Sequence, residues 1–168
     1  MMNVTIYSDG SSRGNPGPGG FGTVLHYVTP KGELVKLELS KGYAETTNNR
    51  MELMGVIAGL EALNRPCDVK IISDSQYVVK AFTENWIDSW VKSNWKRKSG
   101  PVLNTDLWKR LLKAMEPHKV SFEWIKGHAG HPENELCDSL ATAAADADPE
   151  KLLIDEGYVM NYLSIVLT

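Results

Sequence analysis

The sequence predicts an α/β fold in which one five-stranded mixed sheet is flanked by helices. Three apolar strand-like segments, separated by short turns, come first, and two more strand-like segments then alternate with amphipathic helices. Short turns join antiparallel neighbours, whereas a strand that returns after a helix usually runs parallel. We therefore expect the first three strands to be antiparallel, and the fourth and fifth to run parallel to the first.

The strands of the amino-terminal part follow from alternating apolar residues. This pattern predicts strands over residues 4–9, 21–28 and 35–40. Glycine and proline are frequent in residues 10–20, which indicates a turn-rich loop between the first two strands. Residues 29–32 include a proline and a glycine and predict a hairpin turn before the third strand.

The rest of the chain alternates helices with strands. Residues 48–63 carry an apolar stripe at helical spacing, and either Thr47 or Asn48 can cap this helix. The later elements, in chain order, are a strand at 69–73, a helix at 75–82, a short helix with a basic loop at 86–102, a helix at 106–115, a strand at 120–125 and a helix at 133–147.

The composition is that of a globular protein with an uneven charge distribution. The 168 residues carry a net charge of −3, with 42% hydrophobic and 23% charged residues, which is ordinary for one domain. Residues 92–113 contain seven cationic side chains and one acid, and they hold or border four of the five tryptophans. Cations interleaved with aromatic rings are typical of a surface for a nucleic-acid backbone. The plainer interpretation is a solvated helix face in which Trp90 and Trp108 form a small local core.

The sequence shows no pattern for membrane insertion or secretion. No apolar run reaches the length of a membrane helix, and no secretory signal follows Met1. The two cysteines, Cys67 and Cys137, form no C-x-x-C pair. We expect free thiols in a cytoplasmic protein without membrane contact.

Four carboxylates that are far apart in the sequence are predicted to meet at one end of the sheet. Asp9 and Asp74 each follow a strand-like run, and Glu52 and Asp138 each lie near the start of a predicted helix. Open α/β sheets place active sites at the carboxyl ends of their strands. Gathered acids repel one another, and a bound divalent cation is the simplest way to keep them ionised, since only Arg50 lies close in sequence as a counter-charge. Metal-assisted chemistry is therefore the first hypothesis.

Sequence motifs surround each of these acids. They are Tyr7–Ser11 followed by Gly14–Gly20, Thr46–Leu53, Ser73–Val78, and Lys126–Glu135 followed by Cys137–Asp138. In order and spacing, across about residues 3–162, the four motifs resemble those of bacterial type 1 ribonuclease H. The resemblance implies the ribonuclease H-like fold. It also implies endonucleolytic hydrolysis of the RNA strand of RNA–DNA hybrids, leaving 3′-hydroxyl and 5′-phosphate ends, at replication primers and R-loops.

The resemblance also implies a catalytic set with two metal ions per active site, Mg²⁺ or alternatively Mn²⁺, when substrate is bound. Asp9 would bridge both ions, Asp138 would hold the ion beside the attacking water, and Glu52 and Asp74 would hold the ion beside the leaving group. His128 lies between glycines and would transfer a proton or assist product release, because imidazole titrates near neutral pH.

Substrate choice would depend on short polar side chains, because only one strand of a hybrid carries 2′-hydroxyl groups. By the resemblance, the side chains on the RNA strand are Ser11, Ser12, Asn15, Asn48, Gln76 and Glu52. Asn49 and Thr47 would contact the DNA strand, and Thr47 would form a phosphate pocket with Arg50.

Residues 86–102 correspond, by the same resemblance, to a basic protrusion that grips the DNA strand. Its contacts would be Trp86, Lys92, Lys96, Arg97 and Lys98. The section is less cationic than expected for the family. We therefore expect weaker hybrid affinity and a shallower dependence on salt.

The predicted catalytic domain spans residues 1–150, and residues 151–168 form a carboxy-terminal tail. Within the tail, residues 163–168 are apolar and extend beyond the usual end. They could pack on the sheet, mediate association or fray. We expect a monomer.

Two other functions stay open on the sequence. A structure-selective DNA nuclease of the same fold, such as a junction resolvase, would cut branched DNA that contains no ribonucleotide. A non-catalytic module would bind hybrids without cutting them. The polar set for the 2′-hydroxyl groups and the basic protrusion disfavour the first alternative, and the four intact acids disfavour the second.

Overall fold

The structure, a computed structural model, describes residues 1–167, and for residues 162 and 164–167 it describes the backbone alone. Strand β1 (Met2–Ser12) pairs antiparallel with β2 (Gly17–Val28), which pairs antiparallel with β3 (Leu34–Thr46). On its other side β1 pairs parallel with β4 (Cys67–Ser73), which pairs parallel with β7 (Lys119–Trp124). The strand order is β3-β2-β1-β4-β7. The predicted five-stranded mixed sheet is confirmed.

The predicted helices are present, with small shifts at their ends. Their bounds are α1 (Asn48–Glu61), α2 (Gln76–Thr83), α3 (Trp86–Lys92), α4 (Thr105–Met115) and α5 (Pro132–Ala145). A further helix, α6 (Glu156–Leu167), was not predicted and lies in the segment expected to be a carboxy-terminal tail. Between α3 and α4, β5 (Lys96–Arg97) and β6 (Gly100–Pro101) form a small hairpin. Within the described part of the chain, none of these helices has both the length and the apolar character needed to cross a bilayer.

The prediction of a loop over residues 10–20 is wrong for most of its length. Strand β1 continues to Ser12, strand β2 begins at Gly17, and the paired strands leave only residues 13–16 as the turn. Glycine in this segment marks close packing rather than a loop. The sequence pattern could not show this because the packing partners lie on helices far along the chain.

Helices α1 and α5 lie directly against the strand backbones on opposite faces of the sheet. A Cβ atom on Gly10 would clash with the backbone of Met51 and Glu52 on α1. A Cβ atom on Gly22 would clash with the carbonyl oxygen of Cys137 on α5. The missing side chains therefore let both helices approach β1 and β2 more closely than side-chain packing permits.

The tryptophans near the basic section form a local core. Trp108 is fully buried, and its ring centroid lies 5.3 Å from those of both Tyr77 and Trp90. Trp90 is half-buried and also packs against Trp86 and Trp95. The plainer interpretation of Trp90 and Trp108 is therefore confirmed.

Residues that follow α5 return to the edge of the sheet. The Leu153 N–H donates to the Gly42 carbonyl at 2.9 Å, and the Leu153 carbonyl accepts from Ala44 N at 2.8 Å, which forms an isolated parallel bridge on β3. The domain boundary at residue 150 stays a prediction, as does the role of the tail. Most side chains of residues 163–168 lie outside the described residues, as does all of Thr168.

Candidate functional site

Three of the four predicted metal-binding acids lie together at the ends of β1 and β4. One carboxylate oxygen from each of Asp9, Glu52 and Asp74 lies within 4.8 Å of the other two. Asp9 and Asp74 meet because β1 and β4 are parallel neighbours in which Ser8 pairs with Ser73. Glu52 joins them because α1 lies against the backbone of β1.

Asp138 approaches the same site from α5, on the opposite face of the sheet. It lies outside the group of three whose oxygens are within 4.8 Å. Its charge and a side-chain hydrogen bond nevertheless help to raise the pKa of Asp9. Asp9 therefore has Asp74 and Asp138 as interacting neighbours, and Glu52 interacts with all three.

The electrostatics of the cluster favour the binding of a cation. Burial, followed by the charge of Asp74, raises the pKa of Asp9 to about 8, although the Gly10 N–H donates to Asp9 Oδ1 at 2.9 Å. Burial and the charge of Asp9 raise the pKa of Glu52 well above its usual range. Among residues whose side chains are described, no salt bridge involves any of the four acids.

The donor set fits a hard divalent cation. Glu52 Oε2 is buried and has no hydrogen-bond partner, and such a buried oxygen is costly unless something binds it. Mg²⁺ and Mn²⁺ take oxygen ligands, and carboxylates supply both the oxygens and the charge.

Arg50 makes contacts that differ from the predicted phosphate contact. Its side chain is 2% exposed, Nε donates to Asp155 Oδ2 at 2.7 Å, and Nη2 donates to Asp106 Oδ2 at 2.7 Å. A guanidinium bound to two carboxylates has no free edge for a phosphate or for the acidic cluster. The prediction that Arg50 binds phosphate beside Thr47 is therefore wrong. Arg50, which the sequence offered only as a possible counter-charge, pairs instead with Asp106 and Asp155.

Several residues predicted to contact the hybrid form one hydrogen-bonded group. The Asn48 N–H donates to Asn15 Oδ1 at 3.1 Å, and Ser12 Oγ donates to Asn48 Oδ1 at 3.0 Å. Thr47 caps α1 by accepting from Arg50 N at 3.3 Å. The turn between β1 and β2 is thus joined to the start of α1.

The other predicted substrate residues of this region lie near the acids along the chain. Ser11 is half-exposed and two residues beyond Asp9, and Gln76 is exposed at the start of α2. Asn49 is exposed in the first turn of α1. These three side chains are accessible to a ligand.

His128 lies in the loop between β7 and α5 and is exposed. Its φ angle of 55° is in the left-handed region, which is uncommon for a residue other than glycine. The neighbouring Gly127 packs against the acidic cluster, since a Cβ atom there would lie 2.6 Å from Asp74 Oδ2. The His128 loop therefore begins beside a predicted metal ligand.

Trp124 is a site residue that the sequence reasoning missed. Its Nε1–H donates to the backbone carbonyl of Asp74 at 3.0 Å. The two are brought together because Ser73 and Trp124 are partners in the parallel pair of β4 and β7. Trp124 ends the strand next to the one that Asp74 follows, but the sequence does not reveal this. The pairing of β4 with β7 must be known first.

The predicted protrusion exposes all four of its cations. Lys92 ends α3, and residues 96–98 lie in the hairpin of β5 and β6, all exposed. Trp86 is half-buried against Trp90, so its role includes packing. In the ion pairs that the structure describes, none of the protrusion's four cations takes part.

Comparisons with known proteins agree with this fold. The RNase H family model matches residues 1–146. A ribonuclease H of Lachnoclostridium phytofermentans is 63% identical over 147 residues, which cover 86% of this chain and 93% of the relative. These matches define the class, and the chain belongs to the ribonuclease H family.

Two solved structures show the same architecture. LC9-RNase H1, a type 1 RNase H with the type 2 active-site motif, matches with a TM-score of 0.80 and 36% identity, covering 97% of this chain and 81% of that one. LC11-RNase H1, solved in complex with an RNA/DNA hybrid, matches with a TM-score of 0.59 and 26% identity, covering 85% of this chain and 96% of that one.

Proposed function

We propose that this protein is an endonuclease that hydrolyses the RNA strand of RNA–DNA hybrids with two divalent metal ions, leaving 3′-hydroxyl and 5′-phosphate ends. The observation that carries the proposal is the cluster of Asp9, Glu52 and Asp74, whose oxygens lie within 4.8 Å of one another. Membership of the ribonuclease H family and the hybrid bound to the similar LC11-RNase H1 support the substrate.

Four acids would hold the metal ions. Bound ions would activate the attacking water and stabilise charge on the leaving oxygen. Asp9 is suited to bridge two ions because Asp74 and Asp138 both act on its carboxylate. Asp138 would help to hold the ion beside the attacking water. Glu52 and Asp74 would hold the ion beside the leaving group. We infer Mg²⁺ as the usual ion, with Mn²⁺ as an alternative.

His128 would move a proton near the scissile phosphate. The imidazole is exposed, and His128 directly follows Gly127, which packs against Asp74. A ring nitrogen can therefore reach solvent next to the proposed metal ligands. Imidazole exchanges protons near neutral pH, which suits a group that accepts a proton from water or helps the product leave.

Two surfaces would recognise the hybrid. The hydrogen-bonded group of Ser12, Asn15 and Asn48, together with Ser11 and Gln76, would present short polar groups suited to 2′-hydroxyls. The exposed cations of the protrusion, together with Thr47 and Asn49, would contact the DNA strand, where phosphate contacts supply affinity without reading sequence. A monomeric, cytoplasmic enzyme acting at replication primers and R-loops is the remaining part of the proposal.

One assay tests the proposal and its rivals together. An end-labelled RNA–DNA hybrid, the matching RNA and DNA duplexes, and a branched DNA are each incubated with protein and Mg²⁺, with chelator in parallel tubes. We expect cuts only in the RNA strand of the hybrid and only with metal. Cleavage of the branched DNA would favour a DNA nuclease, and binding of the hybrid without cleavage at any Mg²⁺ or Mn²⁺ concentration would favour a binding module.

A further inference from the structure

A bidentate ion pair joins the turn between β1 and β2 to the end of α5. Arg13 Nε donates to Asp146 Oδ1 at 2.7 Å, and Arg13 Nη2 donates to Asp146 Oδ2 at 2.6 Å. The two residues are 133 positions apart. Arg13 opens the turn of residues 13–16, and Asp146 is the cap residue that directly follows α5. Both side chains are about half exposed, at 53% and 52%.

The same turn is held on its other side by α1. Asn15 Oδ1 accepts from the backbone N–H of Asn48. The single O–H of Ser12 lies within donating distance of Gly14 O at 2.6 Å and Asn48 Oδ1 at 3.0 Å. The turn therefore lies between α1 and α5. These are the two helices that carry Glu52 and Asp138.

The turn has no apolar anchor of its own. Residues 13–16 are all exposed, and the Arg13 N–H bonds to the Pro18 carbonyl at 2.6 Å within the same hairpin. A short exposed segment of this kind opens locally at low cost. An exposed ion pair adds little to the stability of the whole fold. Its effect therefore falls on the conformation of the turn.

We propose that the Arg13–Asp146 pair is a positioning device that holds Ser12 and Asn15 in the orientation needed to bind the RNA strand. The inference rests on the proposed function, because it assigns a role within the same substrate surface. Arg13 is assigned to the turn because the Nε–Nη2 edge of its guanidinium is occupied by the Asp146 carboxylate.

The chain supplies a matched control pair. Arg110 Nε donates to Glu61 Oε2 at 2.8 Å and Nη2 donates to Oε1 at 2.7 Å, with side chains 49% and 40% exposed. This pair has the same chemistry and similar exposure, but it links α4 to the end of α1, away from the turn. Arg110→Gln and Glu61→Gln therefore measure the general cost of losing one exposed bidentate pair.

The functional experiment compares Arg13→Gln, Asp146→Asn and the double variant with these controls on an RNA–DNA hybrid in Mg²⁺. We expect each single change to raise KM about two- to fivefold with kcat nearly unchanged, and the double variant to match the singles. The controls should keep the wild-type KM. Equal KM in all variants, or a double variant whose KM is the product of the single effects, would overturn the proposal.

Salt dependence separates positioning from direct binding. If Arg13 contacted a phosphate, Arg13→Gln alone would reduce the slope of log affinity against log salt by about 1. Positioning predicts the wild-type slope in both Arg13→Gln and Asp146→Asn. A reduced slope confined to Arg13→Gln would replace the proposed role with phosphate binding.

Amide hydrogen exchange tests whether the Arg13–Asp146 pair holds the turn, and it does not depend on a cleavage assay. Asp146→Asn should speed exchange of the Arg13 and Asn48 amides, which bond within the turn and to Asn15, and Glu61→Gln should not. Unchanged exchange in Asp146→Asn would refute the positioning role whatever the activity. A wild-type protein that leaves hybrids intact would refute the proposed function, and the exchange rates would still decide whether the pair holds the turn.

Discussion

Replacing Asp9 with asparagine should stabilise the metal-free protein at the same time as it abolishes cleavage. Asp9 is 6% exposed and interacts with the carboxylates of Asp74, Asp138 and Glu52. Asparagine keeps the shape of the side chain but carries no charge to repel these neighbours. The variant would also lose the ligand proposed to bridge the two metal ions.

The size and sign of the effect follow from the raised pKa of Asp9, which is about 8 in the fold against 3.8 for the free group. Below about pH 4 the group is protonated in both the folded and unfolded states, so it contributes nothing. Between pH 4 and 8 the unfolded chain loses this proton while the folded protein keeps it, so stability falls as pH rises. By linkage the cost at pH 7 is about 4 kcal/mol as an upper limit. Because neighbouring acids take up protons together, we expect a gain of about 1–3 kcal/mol in the asparagine variant.

Urea unfolding in chelator at pH 4, 7 and 8.5 measures this gain. Asp9→Asn should match the wild type at pH 4 and exceed it increasingly at pH 7 and 8.5, and saturating Mg²⁺ should stabilise the wild type more than the variant. Glu38→Gln, which removes an exposed carboxylate from β3, is the control for loss of charge alone. A variant less stable than the wild type at pH 8.5 in chelator, or a gain that does not depend on pH, would refute the reasoning.

Three further outcomes are expected. His128→Ala should lower kcat by on the order of 10²-fold without abolishing turnover, and an unchanged rate would remove it from the mechanism. Replacing all three side chains of residues 96–98 with alanine should raise KM more than it lowers kcat and flatten the salt dependence; a fall in kcat alone would show that the protrusion does not bind. Gly127→Ala should weaken Mn²⁺ binding measured by calorimetry, because the new methyl group would lie 2.6 Å from Asp74 Oδ2; wild-type affinity would contradict this.

The sheet could be predicted because its signals are local. Alternating apolar residues located the strands, and the connections between them dictated which pairs run parallel. The segment of residues 10–20 could not be predicted in the same way. Glycine there permits contact between β-strand backbones and helices that begin at Asn48 and Pro132, and such contacts are invisible until the fold is known.

The same difference between local signals and long-range contacts explains which site residues could be predicted. Asp9 and Asp74 were predictable because each follows an apolar run on one of two parallel neighbouring strands, β1 and β4. Arg50 was not, since its partners Asp106 and Asp155 lie 56 and 105 residues away. Long-range pairing also hid Trp124, which supports Asp74 from the neighbouring strand. Side chains that act through distant partners leave no periodic trace in a single sequence.

Glycine at positions 10 and 22 has a consequence for any attempt to build this proposed catalytic centre into another protein. The helices bearing Glu52 and Asp138 rest on the main chain of β1 and β2, so the thickness of a polypeptide backbone sets the gap between opposing ligands. A recipient scaffold with larger residues at the positions of Gly10 and Gly22 would hold the acids of the two helices farther apart.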